Sequence, residues 1–287
     1  MALTINTNLS SMLVQKNMNA STNALNTAIQ RMTTGYRINS AKDDAAGMAV
    51  AIKLDTQLSG YDVASQNVQM GASLLTTLEE NDNLVLGHLQ RIRDLAEQAA
   101  NGVYDSSSTD AIAAEIDARI AEINRLTNSV QFNGKNLMDG TAGTVKIQVG
   151  INGDADSAIN ISDGFFNSTA NGSKMLGTIY GNTTEGTPSG GKKIVASASA
   201  SLKQIDTAIG TVKAQITTIG ALQNRLDSAA ESIEVARANV SSALSTVRDA
   251  DVSTESSNYI RAQILQQAAA SLLTTANQSP SIALNLI

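Results

Sequence analysis

Between residues 202 and 247, apolar residues recur in steps of three, four and seven with little interruption, as in the seam of a coiled coil. At 1.5 Å per residue, a continuous helix over this stretch is roughly 70 Å long, about twice the diameter of a small domain. Such a helix cannot bury its seam alone, so the pattern predicts partner helices along its length. The seam residues are Leu202, Ile205, Ile209, Val212, Ile216, Ile219, Leu226, Ala230, Ile233, Val240, Leu244 and Val247.

Two earlier segments carry matching stripes. One has apolar residues seven apart between residues 64 and 99, with polar Asn81 and His88 interrupting a neighbouring row, and a shorter one is rich in isoleucine. Two early helices and one late helix with matching seams predict a mainly α fold, a long antiparallel helical bundle or coiled coil. The stripes are Ala64, Gly71, Leu78, Val85, Ile92 and Ala99 with Leu74 and Leu95 beside them, and Ile112, Ile116, Ile120, Ile123 and Leu126.

The amino-acid composition limits which fold classes, kinds of site and partners are compatible with the sequence. Of all residues, 42% are hydrophobic but only 3% are aromatic, an inventory that suits interdigitated helices better than an enzyme core. The chain has no cysteine, so neither a disulfide framework nor a thiolate metal site is available. A net charge of -6 and a pI near 4.8 argue against nucleic acid or anionic lipid as a partner.

The sequence shows no classical targeting segment. Within the first thirty residues there is no basic region followed by an apolar core and a cleavage site, and no window approaches eighteen apolar residues. We therefore expect neither a Sec-type signal peptide nor a membrane-spanning helix. If the protein is exported, another route carries it.

Local signals predict where the helices begin and end. A first helix is expected to end at Thr33, Thr34 and Gly35, because glycine adopts the left-handed cap conformation at no steric cost. The Ser-x-x-Asp box at residues 40–43 is expected to cap the next, alanine-rich helix. A serine cluster at residues 106–109 is expected to cap a helix that begins near Asp110.

The middle of the chain has a different character, because glycines become frequent and helical periodicity disappears over residues 132–200. Apolar residues alternate on either side of a turn at residues 152–154, which predicts a small β-hairpin. Residues 165–200 read as a connector, too short for an independent domain, that caps one end of the bundle. The alternating residues are Val145, Ile147 and Val149, then Ile159 and Ile161.

The two ends of the chain form a pair of thin terminal arms. One comprises residues 1–34, and the other begins at Asp251 and is expected to stop at Pro280. Backbone ordering costs about 1 to 2 kcal/mol per residue, and each arm carries few apolar side chains whose burial could offset that cost. We therefore expect the arms to be unstable alone and to become ordered when other helices pack around them. The arm residues expected to mediate assembly are Leu9, Met12, Leu13, Leu25, Ile29, Ile260, Ile264, Leu265, Leu272 and Leu273.

Enzymatic interpretations find little support. Residues 186–193 fit G-x-x-x-x-G-K, but Lys193 stands where a phosphate-binding loop needs Ser or Thr, and no apolar strand precedes it. Asp43 and Asp44 are adjacent in sequence, so on a helix their side chains would point about 100° apart, which does not suit a pair of catalytic carboxylates. His88 is the only histidine, which excludes a histidine-based metal cluster or triad. We expect no catalytic, cofactor-binding or metal site.

Several short motifs together resemble the flagellin family. The resemblance covers about residues 1–165 and 200–287, and the motifs occur in the order and context that the family would have them. They are MTTGYRINSAKDDAAG at residues 32–47, LQRIRDLA at 89–96, QFNG at 131–134, ALQNR at 221–225, RAQILQQA at 261–268 and ANQ at 276–278.

The resemblance implies a secreted structural subunit that polymerises with itself into the extracellular bacterial flagellar filament for motility. It implies export by the flagellar type III route, with an export chaperone, a filament cap and hook-junction proteins as partners. It also implies a division into terminal arms (1–43 with 248–287), a helical rod (44–140 with 200–247) and a hairpin with a short connector (141–199) in place of outer domains.

Recognition of the free monomer by Toll-like receptor 5 is a further implication of the resemblance. The matching residues are Arg91, Leu95 and Glu115, flanked by Gln90 and Arg93. A purely structural interpretation makes Arg91 and Glu115 an ion pair between helices or subunits, worth about 0 to 1 kcal/mol, and Leu95 a seam residue.

Two other non-enzymatic functions stay open at this stage. A hook-filament junction protein shares terminal arms of this kind, although the run at residues 89–96 favours the filament subunit. A type III translocator or helical pore-former also presents amphipathic helices without a signal peptide. It would be expected to carry a long apolar hairpin, which this sequence lacks.

Overall fold

The computed structural model describes residues 8–138, 143–161 and 190–284. This part of the chain is mainly helical with two small antiparallel sheets, which confirms the predicted fold class. The helices are α1 (Leu9–Thr34), α2 (Ala45–Ala100), α3 (Ser106–Ser129), α4 (Gly190–Ala196), α5 (Ala198–Arg248) and α6 (Val252–Leu284). The strands are β1 (Gln131–Phe132), β2 (Lys135–Asn136), β3 (Val145–Gln148) and β4 (Ala158–Ile161).

The chain divides into two compact units. Met1–Leu58 and Ala238–Ile287 form one, which we call the arm unit, and Ser59–Arg237 forms the other, which we call the rod unit. Helices α2 and α5 each contribute residues to both units.

In the rod unit, α2 and α5 run antiparallel. Asp62 of α2 pairs with Arg237 of α5 at 2.8 Å, and Arg93 of α2 pairs with Asp206 of α5 at 2.7 Å, so residue numbers rise on one helix as they fall on the other. The predicted seam helix is confirmed, because α5 is continuous across it. Ala230 was expected in the seam but is exposed. The buried seam residues of α5 are Ile205, Ile209, Val212, Ile219, Leu226 and Ile233.

The predicted stripes on α2 and α3 complete the core of the rod unit. The seven-residue stripe on α2 is buried from Ala64 to Ile92, and Leu126 of α3 is half-buried. The four predicted isoleucines of α3 are buried, and a second row on α2 that the heptad stripe did not include is buried as well. That second row consists of Val68, Leu75, Leu89 and Ala96.

The start of α3 differs from the prediction. Asp105 is the N-cap, and its carboxylate accepts a hydrogen bond of 2.9 Å from the backbone N–H of Ser108. The serine cluster at residues 106–109 therefore lies inside the first turn rather than before it. An ionised carboxylate is the stronger acceptor for these N–H groups. Hydrogen bonds from the side chain and backbone of Ser108 hold the pKa of Asp105 below its ordinary value.

The predicted hairpin is confirmed as β3 and β4. Val145 lies opposite Ile161, and Ile147 lies opposite Ile159. The hairpin packs on α2 at Gly71, where an added Cβ would lie 2.5 Å from the Ile147 side chain. The stripe position Gly71 is thus kept small by the close approach of the sheet.

Two elements in the middle of the chain were not predicted. Strands β1 and β2 form a second hairpin around Asn133 and Gly134, which both have positive φ, as the Asn-Gly signal for a tight hairpin requires. Helix α4 lies inside the stretch expected to lack helical structure. Gly191 of α4 packs directly on the backbone of Ala113, so contact with α3 stabilises a helix whose own sequence is a poor helix former.

In the arm unit, Gly35 ends α1 with φ 74°, and its N–H donates to the carbonyl of Arg31, which confirms the predicted cap. The prediction for the next helix is wrong in detail. The Asp43 carboxylate accepts from the backbone and side chain of Ser40 and closes the preceding turn. Asp44 caps α2 instead, accepting at 2.9 Å from the N–H of Gly47.

We expected α6 to stop at Pro280, but the helix continues to Leu284. Proline removes one backbone donor from a helix interior, which leaves the carbonyl four residues earlier without its usual partner. That carbonyl belongs to Ala276, and it accepts a hydrogen bond from Asn8, the N-cap residue of α1. The other arm helix thus compensates for the missing donor.

Candidate assembly surface

The two terminal helices pair with each other along the arm unit. Thr22 of α1 accepts from Gln266 of α6 at 3.1 Å. Nearer the base of the pair, Arg31 donates to the carboxylate of Glu255 at 2.9 Å. Because the numbers rise on α1 as they fall on α6, the pair is antiparallel.

The seam between α1 and α6 is lined by small side chains. Ala28 of α1 and Ala262 and Ala269 of α6 are buried, with exposures of 2%, 4% and 8%. Glu255 is buried there too, at 7%. A methyl group buries far less apolar area than a leucine side chain, so this seam brings the helices close together but stabilises the pair only weakly.

The large apolar side chains of the pair face away from this seam. Leu13 is 60% exposed, Ile264 is 59% exposed and Leu272 is 58% exposed. Of the residues expected to mediate assembly, Leu25 and Leu273 are half-buried and the others are exposed. Met32 and Val252, which were not among the residues expected to mediate assembly, are exposed on the same helices. We call the exposed set the arm face: Leu9, Met12, Leu13, Ile29, Met32, Val252, Ile260, Ile264, Leu265 and Leu272.

A backbone clamp joins the two chain segments at the base of the arms. The N–H of Arg37 donates to the carbonyl of Arg248 at 2.7 Å, and the N–H of Ala250 donates to the carbonyl of Gly35 at 2.9 Å. The Arg248 guanidinium lies 3.9 Å from the centre of the Tyr36 ring, a cation–π contact. The clamp fixes where α1 ends relative to where α6 begins.

The residues singled out for receptor recognition lie in the rod unit. Arg91 of α2 pairs with Glu115 of α3 at 3.0 Å, with both side chains partly exposed, and Gln90 is exposed beside them. Arg93 pairs with Asp206 of α5. Leu95 is the exception, because it is only 2% exposed and packs in the core beneath these pairs.

The residues considered for catalysis have structural partners. The backbone N–H of Gly191 donates to the Asp117 carboxylate at 2.7 Å, and Lys192 pairs with Asp110 at 3.2 Å. These partners occupy the groups that a phosphate would need, while residues 186–189 of the same motif lie outside the described residues. Within the described part of the chain, no three His, Cys, Asp or Glu residues come together as a metal site.

One buried ionisable residue was missed from the sequence. Asp82 of α2 is only 3% exposed, and burial raises its pKa to about 7 from an ordinary value of 3.8. The sequence drew attention to Asn81 and His88 as polar interruptions of the stripe, but both are only half-buried. Asp82 lies four residues from Leu78 and three from Val85, and that spacing placed it on the core side of the helix.

Across the helices that the structure describes, none is long and apolar enough to cross a membrane.

Comparison with known proteins identifies what this chain is similar to. Residues 5–143 match the family model of the bacterial flagellin N-terminal helical region, and residues 202–287 match that of the C-terminal helical region. A flagellin of Xenorhabdus nematophila is 35% identical over 314 aligned residues, which cover 100% of both chains. The B-type flagellin of Pseudomonas aeruginosa is 49% identical over 162 residues, which are 56% of this chain and 33% of that protein. Among solved structures, Bacillus cereus flagellin matches 58% of this chain and 88% of its own, at 27% identity and a TM-score of 0.48.

Proposed function

The chain belongs to the bacterial flagellin family, and we propose that its copies join through the arm face of α1 and α6. Proteins of this family are structural subunits of the extracellular flagellar filament and are not enzymes. The chain is therefore a filament subunit that polymerises with itself. The proposal concerns the surface that holds the polymer together.

The observation that carries the proposal is the inverted burial of the arm pair. Among the described side chains, the buried apolar residues of α1 and α6 are alanines, while most leucine, isoleucine and methionine side chains of these helices are exposed. Burying one such large side chain contributes about 1.5 to 3 kcal/mol, so several per copy make polymerisation strongly favourable. So many exposed large apolar side chains on one pair of helices indicate an interaction site.

The geometry of the product follows from the kind of contact. When the face of one copy meets a different surface of the next, the contact is heterologous, and a rotation that does not close produces an open helical polymer. Electron microscopy of the purified chain after induced polymerisation, alone and mixed with isolated hooks, tests this, with a separate leakage assay on liposomes. Long tubes of uniform diameter support the filament subunit. Leakage from liposomes without tubes would instead support a pore-former, and short caps on hook ends only would support a junction protein.

We also propose how the chain is divided in the filament. Residues 1–43 with 248–287 form the terminal-arm domain, residues 44–140 with 200–247 form the helical rod domain, and residues 141–199 form the hairpin and a short connector. The support is the antiparallel pairing of α1 with α6 and of α2 with α5, together with the hairpin against α2.

Export by the flagellar type III route, with an export chaperone, a filament cap and hook-junction proteins as partners, is proposed from family membership. Two properties of the chain suit export in an unfolded state. It contains no cysteine that could crosslink it and only two prolines. Its arm pair has an alanine seam that costs little to open.

Recognition of the free monomer by Toll-like receptor 5 is proposed for the surface around Gln90, Arg91 and Arg93 of α2 and Glu115 of α3. The support is that Arg91 and Glu115 form an exposed pair on neighbouring helices, presenting charge and hydrogen-bonding groups together. Because Leu95 is buried, its proposed part is to hold the two helices in place beneath that surface.

Replacing Arg91 with alanine tests the receptor proposal. We expect the purified monomer to need a concentration about tenfold higher to activate receptor-expressing cells, since charged anchors at an interface carry a large share of affinity. The matched control is Arg125→Ala, which removes an exposed arginine paired with Glu122 on α3. A response unchanged by Arg91→Ala, or lowered equally by both variants, contradicts the proposal.

A further inference from the structure

The interior of α6 contains a carbonyl that its own helix cannot satisfy. Helix α6 runs through Pro280, and proline has no backbone N–H. In a regular helix the N–H of residue 280 would donate to the carbonyl of Ala276. Left unpaired away from water, such a carbonyl destabilises the structure around it.

The first residue before α1 supplies the missing donor. The side-chain Nδ2 of Asn8 donates to the carbonyl oxygen of Ala276 at 2.8 Å. The Oδ1 of the same amide accepts from the backbone N–H of Ser11 at 3.0 Å and caps α1. Alongside, the Ser11 hydroxyl donates to Oδ1 of Asn277 at 2.7 Å.

The carboxamide of Asn8 fills both roles with two separate atoms. The NH₂ group of asparagine donates while its oxygen accepts, whereas an aspartate can only accept and an alanine can do neither. The amide of Asn8 therefore caps one helix and completes the backbone hydrogen bonds of the other. Proline creates the need for an outside donor at one carbonyl of α6, because no other residue of the described helix is followed four positions later by a proline.

We propose that Asn8 sets the register of the arm pair at the end away from the clamp, where it fixes the start of α1 against the carbonyl that Pro280 leaves free. The need for such a residue comes from the seam itself. Small buried side chains such as Ala28, Ala262 and Ala269 would pack similarly after a slip of one helical turn, so they specify register weakly, as uniform seams do in coiled coils. Arg31 and Glu255 fix the base of the pair, and Asn8 fixes its other end.

The inference rests on the proposed role of the arms, because a shifted α1 would present a different arm face to neighbouring copies. A double-mutant cycle tests it with four full-length chains: the wild type, Asn8→Asp, Pro280→Ala and the double variant. Asn8→Asp keeps the acceptor for Ser11, and its charge suits a helix N-terminus, but it loses the donor to Ala276. Pro280→Ala restores a backbone N–H for that carbonyl.

We expect Asn8→Asp to raise the critical concentration for polymerisation roughly tenfold in the wild-type background, as the loss of one partly buried hydrogen bond predicts. In the Pro280→Ala background the same change should raise it by about twofold or less. No effect of Asn8→Asp, or an equal effect in both backgrounds, overturns the inference. The helical circular dichroism of the monomers should show the same pattern. Asn8→Asp should lower it in the wild-type background and change it little in the Pro280→Ala background. If the wild type never polymerises, the proposed function fails, while this monomer pattern still decides the register inference.

Discussion

A chain that lacks residues 253–287 will not polymerise, although its rod unit will remain helical. The deletion removes nearly all of α6 and with it four residues of the arm face, Ile260, Ile264, Leu265 and Leu272. It also exposes the buried Ala28 of α1. The rod unit keeps its own core of α2, α3 and α5 and does not depend on α6 for it. Light scattering should show no polymer at any accessible concentration, while far-UV circular dichroism shows a strongly helical monomer.

A single substitution separates loss of the surface from loss of the helix. Ile264→Asp places a carboxylate on the arm face, where burial in a polymer contact without a partner costs several kcal/mol, or about a thousandfold in critical concentration. The matched control is Gln263→Asp, an exposed neighbour about 100° away on the same helix, which should change it by less than about threefold. Normal filaments from the truncated chain, or equal behaviour of the two aspartates, would refute the role assigned to the arm face.

Replacing Asp82 with leucine should stabilise the rod unit by about 2 to 4 kcal/mol at pH 8. In the fold the carboxyl of Asp82 has a pKa of about 7, against 3.8 when unperturbed, because burial disfavours its charged form. A carboxyl pKa raised by folding costs stability wherever the unfolded chain ionises first. The contribution of Asp82 to stability should therefore be most favourable below about pH 4, fall as the pH rises toward 7, and change no more above it.

Urea denaturation of the monomer between pH 5 and pH 8 measures this effect. Other carboxyls with perturbed pKa values, such as Asp43, Asp105 and Asp251, have lowered values, so their contributions are lost only in more acidic solution. Asp82→Asn should flatten the wild-type slope, whereas Asp94→Asn, at an exposed position on the same helix, should leave it unchanged. A wild-type stability that does not fall between pH 5 and pH 8 would show that Asp82 is not held neutral by burial.

Periodicity predicted the parts of the fold in which many residues repeat one pattern. The continuity of α5, the isoleucine face of α3 and the alternating strands of the hairpin each rest on several positions, so one exception does not change the outcome. The Gly35 cap was predictable for a different reason, because few residues other than glycine occupy that backbone conformation.

The errors arose where a single partner distant in sequence decides the structure. Helix α4 is stabilised by the close packing of Gly191 on the backbone of Ala113. Helix α6 continues beyond Pro280, and Asn8 donates a hydrogen bond to the carbonyl of Ala276 that the proline leaves without its usual partner. Such contacts leave no periodic trace in the sequence. The caps of α2 and α3 were misassigned for a local reason, since Asp44 and Asp105 stand immediately beside the residues that the motifs favoured.

The sequence indicated one feature of the terminal arms and missed another. Sparse stripes on the two ends indicated that neither arm could stand alone, and the exposed side chains of Leu13 and Ile264 fit that expectation. The sequence did not indicate that the arms pair through alanines such as Ala262, leaving the larger side chains outside. For the receptor-recognition set, the resemblance supplied the residues but not their burial, and Leu95 lies inside the core.

Hydrogen exchange of the backbone amides, measured on the free monomer and again on assembled filaments, tests most directly whether the arms are completed by neighbouring copies. In the monomer, the amides of α1 and α6 should exchange about a hundredfold faster than those of the rod-unit helices, because the buried apolar residues between them are alanines and the hydrogen bonds across the pair are few. In the filament, their protection should rise to the level of the rod unit. Arms that are already as protected as the rod unit in the monomer, with no change on polymerisation, would contradict it.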